Sequence, residues 1–551
     1  IGEESNMAIN TDIFLGSGAN LALVPETDLY FEIDASESGD RTNIHAVADF
    51  KNNYLLVEDI YVGCVVDYYN ADVSTTVPAS SHIITSNDSD SITISPSIAS
   101  TITLASDDSD FVIIRSYGAP CVGQKNSDVK RLNADNWLGV VESASFPNVD
   151  VEVKQLNLSL GTTRNYEYQY KGIETASGGN INLVANHGAF LYYALGSCSQ
   201  VVATTAATNP ISTIAGAAGK VFIDNGNLGG ATGTITTHLN QGPIFYKTGY
   251  GATGTAGTAL TPPLIANLDL LANTETLTRT TTTATALTNP ITYTFTEANG
   301  EELPSFALEQ TLSKLESANT FRALDTTLAT ESHNFVRIAR GNRVQTLTLT
   351  ANENEELKMT LDLSTRGVHR LKTNEEYEAR GGAGSDNDKL FNLNDTDDDA
   401  EFLEPFFFSS GSFTIFGEQF LKITNLSLTI NNNLQEKRFV GVGSKSIKTD
   451  IPSFRNYELS FTALVTDNRL FEELFDQTEQ TGTNLTDDNG LIQLVFDKGN
   501  TEQIKLQFKN YMINAANYTV PDDKGPITVE ATVMPRDLVL CEVKTHWVLQ
   551  G

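Results

Sequence analysis

The chain has 551 residues, 40% of them hydrophobic, and a formal net charge of −33. That length implies two to four packed domains, and an excess of 69 acids over 36 bases excludes tight binding of nucleic acid phosphates, which needs Lys and Arg to displace counterions. The four cysteines, Cys64, Cys121, Cys198 and Cys541, form no CxxC pair for zinc, and no apolar run is long enough to span a bilayer.

Thr, Ser, Asn, Gly and Asp are abundant while Met, Trp and His are scarce, which favours strands and turns over helical bundles. No signal-peptide pattern opens the sequence, so a soluble chain is expected. Residues 1–130 read as a polar arm followed by a small β-module. Its short alternating runs are YLLVEDIYVGCVV (54–66), ITISPSIASTITLA (92–105) and DFVIIRSYG (110–118). The acidic clusters SNDSDS (86–91) and SDDSD (106–110) lack the liganding spacing of a calcium loop and read as solvated turns. A disulfide between Cys64 and Cys121 is open to the chain but nothing indicates it.

From 137 onward the pattern repeats itself. VDVEVKQLNLSL (149–160) places Val149, Val151 and Val153 on one face, then slips by one residue to Leu156, Leu158 and Leu160. FLKITNLSLTI (420–430) shows the same slip between Ile423 and Leu426, as a β-bulge or a sheet change would produce. INLVA (181–185) leads into HGAFLYYALG, and ELSFTALV (458–465) into TDNRLFEELFD. Phe190, Leu191, Ala194 and Leu195 share their spacing with Leu470, Phe471, Leu474 and Phe475, so one short helix is expected behind each strand, the second capped by Thr466 or Asp467. FVRIARGNRVQTLTLTA (335–351) and ELKMTLDL (356–363) close the first unit, as IKLQFKNYMINAANYTV (504–520) and ITVEATVM (527–534) close the second.

The expected fold class is therefore mainly β: a tandem duplication of one barrel or sandwich domain, at 137–370 and 403–551, behind the N-terminal module. A Thr/Ala/Gly-rich insertion at about 199–300 interrupts the first unit. The acidic segment 379–401, with Asp395, Asp397, Asp398 and Asp399, reads as a solvated linker.

These segments resemble the tail tube (major tail) proteins of tailed bacteriophages and archaeal tailed viruses. The resemblance is carried by WLGVVESASFPNVDVEVKQLNLSLG (137–161), LPSFALEQ (303–310) and FVRIARGNRVQTLTLTANENEELKMTLDL (335–363). It continues through PFFFSSGSFTIFG (405–417), KITNLSLTINNNLQEKRFVG (422–441) and VPDDKGPITVEATV (520–533). It implies a virion structural protein, assembled in the host cytoplasm, whose rings stack into the hollow tail tube that delivers viral DNA. Strands of neighbouring subunits would form one barrel around the channel, with the short helix outside.

If six tube domains close a ring, three chains carrying two each suffice, so a homotrimeric pseudo-hexamer is expected, with a homohexamer as the alternative. Other tail proteins are the expected partners. DNA would pass a net negative lumen without specific binding, and no membrane is involved. Candidate stacking elements are NENEE (352–356), VPDDKG (520–525) and the turns at 161–165 and 431–437, while residues before Ile13 are a candidate inter-ring arm.

No catalytic residue, cofactor or metal is expected. The seven histidines are scattered, and no HExxH, GxSxG or P-loop pattern is present. His187, at a strand-to-helix turn, fits capping or packing. The rival readings are a secreted or surface carbohydrate-binding β-adhesin and another virion ring, such as a baseplate or terminator. Tyr166, Tyr168 and Tyr170 would suit the adhesin, although their alternation fits barrel packing equally.

Overall fold

A computed structural model describes most of residues 14–115, 141–201, 291–370 and 405–545, with three short strands between 211 and 279. The linker 379–401, the turn 161–165, residues 1–13, Tyr166, His187 and Cys121 lie outside the described residues.

Strand β1 (Phe14–Pro25) is followed by β2 (Leu29–Glu32), β3 (Asn43–His45), β4 (Val65–Tyr69), β5 (Ser80–Asn87), β6 (Ser91–Ser95) and β7 (Phe111–Ile114). Strands β2 to β7 form a six-stranded antiparallel sheet in the order β2-β7-β4-β5-β6-β3. Its alternating Val66, Tyr68, Ile84, Ile92, Ile94 and Val112 are almost fully buried. The acidic clusters serve this module as hydrogen-bonding groups: Asp88 accepts from the amide and hydroxyl of Ser91 at 2.8 and 2.9 Å, and Asp110 accepts from the Tyr68 hydroxyl. Cys64 is buried in this module.

Strand β1 belongs elsewhere, pairing from Phe14↔Lys314 to Pro25↔Phe306 with a strand of the first unit. Glu26, just beyond it, is 3% exposed; its carboxylate accepts from the Gly341 amide at 2.9 Å, Arg340 Nε at 3.1 Å and the Ser305 hydroxyl at 2.5 Å. A carboxylate this buried is stable only with such partners, so the network pins the end of β1 to the first unit.

The first unit runs β8 (Val141–Ser145), β9 (Asn148–Leu156), β10 (Tyr168–Ser177), β11 (Asn180–Val184), α1 (Ala189–Leu195) and β12 (Gly196–Val201). Strands β13 (Ile211–Ala215), β14 (Thr232–Ile235) and β15 (Glu275–Arg279) form a small separate sheet within the insertion. The chain returns as β16 (Ile291–Glu297), which pairs with β12 from Gly196↔Glu297 to Val201↔Thr292 and buries Tyr293 and Phe295. The excursion thus leaves and re-enters at adjacent points, between 202 and 290. Strands β17 (Phe306–Ser317), β18 (Thr320–Phe321), β19 (Asn334–Asn352), β20 (Lys358–Ser364) and β21 (Gly367–Arg370) complete the unit.

The second unit runs β22 (Gly411–Ile415), β23 (Glu418–Gln419), β24 (Ile423–Asn431), β25 (Gln435–Phe439), β26 (Ile447–Ile451) and β27 (Asn456–Leu464). Helix α2 (Arg469–Asp476), β28 (Leu491–Lys498), β29 (Glu502–Thr519) and β30 (Thr528–Thr545) follow.

The two units pair their strands alike. In the first, β8 pairs with β11, β11 with β20 and β20 with β19. In the second, β24 pairs with β27, β27 with β30 and β30 with β29. The irregularities coincide as well. A register shift opens the first strand between Val141 and Ser143 and again between Ile423 and Asn425, where the apolar phase slips. The long strands β19 and β29 each turn through a left-handed residue, Gly341 at φ 65° and Asn510 at φ 59°, and each then shifts register, at Val344/Thr346 and at Ile513/Ala515. Each next reaches a turn with a left-handed residue, Asn354 at φ 62° and Lys524 at φ 61°. Such positions are uncommon outside glycine, which makes the matched series informative.

This pairing corrects one match drawn from the sequence. The strand that stands in the first unit where Ile423–Asn431 stands in the second is Val141–Ser145, not 149–160. Val149, Val151 and Val153 lie instead on a two-stranded hairpin, β9–β10, and are exposed, as are Tyr168 and Tyr170. Among the described residues these side chains stay exposed, so the alternation marks no buried face within this chain. Period two alone does not fix register.

Both helices fall where the apolar spacing places them. Phe190, Leu191, Ala194 and Leu195 are buried, and α1 ends at Gly196 in the left-handed conformation at φ 102°. Asn468, rather than Thr466, stands at the start of α2: its carbonyl accepts the amide of Glu472 at 3.0 Å and its side-chain amide reaches the Glu472 carboxylate. Asp467 lies outside the described residues.

Strand β19 joins the units. One edge pairs with β20 and the other with β24, from Thr346↔Asn431 to Asn352↔Asn425. Asn432, 2% exposed, locks the corner: its amide donates to the carbonyls of Val344 at 2.9 Å and Ala194 at 3.1 Å, while its oxygen accepts Arg455 Nε at 2.7 Å. Arg455 also reaches the carbonyls of Ala194 and Leu195 at the end of α1. The Tyr457 hydroxyl donates to Glu297 across the same junction, and burial pushes its pKa up.

Leu347→Ala, at a fully buried position, is expected to cost about 2–5 kcal/mol in urea unfolding, whereas Val153→Ala on the exposed hairpin stays within about 0.5 kcal/mol. Asn432→Ala removes the hydrogen bonds to the Val344 and Ala194 carbonyls and to Arg455 Nε and is expected to cost about 1–3 kcal/mol by the same measurement.

Candidate functional site: a polar sheet face

Strands β8, β11, β20, β19, β24, β27, β30 and β29 pair in that order into one sheet running through both units. Paired residues point the same way, so each face can be read across the strands. One face carries Ile181, Leu347, Leu361, Leu428, Leu459, Phe461 and Val533, all buried in the main core.

The opposite face is built of hydroxyls and amides. Across it, Asn182 Nδ2 donates to the Ser143 hydroxyl at 2.7 Å and Thr360 donates to Asn182 Oδ1 at 2.9 Å. Thr348 and Thr429 hydroxyls meet at 3.4 Å, as do those of Ser460 and Thr532, and Asn180 Nδ2 donates to Asp362 at 2.6 Å. Side chains pinned to their strand neighbours form a flat polar surface and offer few free groups to a passing ligand.

The charges on this face are mostly negative. Asp362, Glu458 and Glu530 are exposed carboxylates on its strands. Lys358, at one end, is engaged by Glu142 at 3.0 Å with Glu356 at 3.9 Å, and the Glu142 hydrogen bond holds its ammonium above the usual lysine range. The arginines of β19, Arg337, Arg340 and Arg343, precede the stretch that pairs with β24 and are engaged by Gln310, Glu26 and the Asp450 carbonyl.

Side chains with catalytic potential elsewhere are occupied structurally. His82 hydrogen-bonds the Pro96 carbonyl and the Ser80 hydroxyl, each at 2.6 Å, inside the N-terminal module. Burial pushes the Cys541 thiol and the Tyr68 hydroxyl well up, which makes both poor nucleophiles. The sequence named no site residues; the polar face emerges only from strand register, because Thr, Ser and Asn at alternate positions are also what any solvent-facing strand carries.

At its two ends the sheet stops with unpaired edges among the described residues. Residues Val141–Ser145 pair only with β11, and the last part of β29, Ile513–Thr519, pairs only with β30. Edges of this kind are protected in stable proteins by a partner or a covering element.

Among the described residues, no helix is long and apolar enough to cross a membrane. No curated protein matches the chain. A family model described as phage tail tube protein matches residues 138–535, which takes in the first unit and most of the second and leaves out the N-terminal module. That family is structural and not enzymatic, it places its members in the virion tail, and it implies assembly with further copies and with other tail proteins. The match covers well over half of the chain, and the mainly β fold agrees with it: the protein belongs to the phage tail tube protein family.

Proposed function

We propose that this chain builds the tail tube as rings of three copies, each copy supplying two tube domains, and that the polar face of its sheet lines the channel for viral DNA. The observation that carries the reading is the single sheet running uninterrupted through both units, with one face in the core and the other polar. A homohexamer with the two units in successive layers is the alternative. It fits less well, because β19 and β24 pair side by side in one sheet.

The matched register shifts and left-handed residues support a tandem duplication, with unit boundaries near 137–370 and 403–551. A lumen of threonine, serine and asparagine with scattered carboxylates suits passage: the phosphates are repelled weakly and nothing binds them. The exposed hairpin β9–β10, with Val149, Val151, Val153 and Leu156 uncovered, is the best candidate for contact with the next ring, together with the turns at 352–356 and 520–525. The N-terminal module sits outside the tube on this reading. Assembly in the host cytoplasm follows from the same picture.

Electron microscopy of the purified protein is expected to show annular particles that stack into hollow tubes; discrete monomers at all concentrations would contradict the proposal. Assembled tubes are expected to retain no duplex DNA at low salt. The triple variant Asp362→Lys, Glu458→Lys, Glu530→Lys is expected to retain it, with release as salt rises. Retention by the unaltered tubes would sink the channel assignment.

A further inference from the structure

The junction between the two units shows how one tube domain meets the next, and each end of the sheet carries a counterpart that pairs on one side only among the described residues. The correspondence is fixed residue by residue. Val344 and Ile513 each stand just before the register shift in the long strand, which sets Leu349 against Tyr518, Thr350 against Thr519 and Ala351 against Val520. On the other side, Val141 and Ile423 each precede the shift in the first strand, which sets Ala144 against Leu426, Ser145 against Ser427 and Phe146 against Leu428.

Inside the chain, Leu349 pairs with Leu428, Thr350 with Ser427 and Ala351 with Leu426. The geometry points to the same pairing between copies: Tyr518 of one chain opposite Phe146 of the next, Thr519 opposite Ser145, and Val520 opposite Ala144, in an antiparallel ladder joining β29 to β8. This rests on the tube reading above and names the surface, the partner (a second copy) and the register.

Three observations support a missing neighbour at these edges. Leu191 and Leu195 of α1 are fully buried beside the second unit, whereas Phe471 and Phe475, at the matching helix positions of α2, are 47% and 74% exposed. Leu426 is 4% exposed while Ala144, its counterpart, is open to solvent. Val520 at the other edge is 72% exposed. Large and small residues also alternate in a complementary way: Ala351 faces Leu426 inside the chain, and Val520 would face Ala144 between chains.

The polar clasp of the internal corner is not repeated. Asp150 and Thr175 stand where the second unit has Asn432 and Arg455, so burial of Phe471 and Phe475 carries the corner between copies. The contact joins two different edges, so it is heterologous and propagates head to tail until a ring closes.

Directly opposed residues in an antiparallel pair have Cα atoms about 4.5–5.5 Å apart, within the range a disulfide spans. Full-length Ser145→Cys/Thr519→Cys protein, assembled and oxidised, is expected to give a reducible covalent ladder on denaturing gels that ends at the ring size. Mixing the two single variants is expected to give a covalent dimer and nothing larger. Ala144→Cys/Thr519→Cys, with the thiols on opposite faces, is expected to stay uncross-linked.

Annular assemblies that form without the Ser145–Thr519 cross-link, or that cross-link equally through Ala144, would overturn the register while leaving the tube reading intact. Absence of both annular assemblies and cross-links would overturn both. As a second readout, Phe475→Asp is expected to leave the unfolding midpoint of the unassembled chain unchanged and to raise the concentration needed for assembly at least tenfold; assembly at the original concentration would overturn the proposed contact.

Discussion

The whole arrangement depends on strand β19 having hydrogen-bonding partners on both edges. Backbone amides and carbonyls removed from water must be paired, and a long strand between two units can meet that demand only by belonging to both sheets at once. Pairing with β20 on one side and β24 on the other makes the strands before and after it one continuous sheet. It also aligns their core faces, so that a single hydrophobic cluster extends from Phe146 to Val543. The Asn432–Arg455 corner adds specificity by satisfying the carboxyl end of α1 from the second unit, which fixes the angle between the units as well as their contact.

Much of this was legible in the sequence, and the part that was not has a clear cause. The helices at Ala189–Leu195 and Arg469–Asp476 were readable because their apolar residues recur at the spacing of one helix face, which is buried along α1 and at Leu470 of α2, while Phe471 and Phe475 are exposed. The bulge at Ile423/Asn425 was readable because a register shift moves the apolar phase. The strand Val141–Ser145 was missed as the opening strand of the first unit because most of its side chains are exposed, so it carries no alternating signal. The neighbouring 149–160 segment alternates clearly and drew the match instead, although its valines face water on the hairpin.

The same logic explains why the polar face was invisible. Thr348, Thr360, Ser427 and Thr532 are ordinary solvent-side residues when read one strand at a time. Only the pairing sets them beside one another, with hydroxyls tied across strands and the remaining charges mostly acidic. On the proposed reading, the exposed carboxylates Asp362, Glu458 and Glu530 give the overall charge of −33 a local expression on the face turned to the polyanion.

The central claim is that this polar face surrounds the bore. A three-dimensional reconstruction of the assembled tube by electron microscopy, at a resolution that separates strands, tests it most directly. The account predicts Thr348, Thr360, Ser427 and Glu530 on the inner wall, with Leu347, Leu361 and Leu428 directed outward beneath the helices. A bore lined by the β9–β10 hairpin, by the N-terminal module or by any other face of the sheet would contradict it.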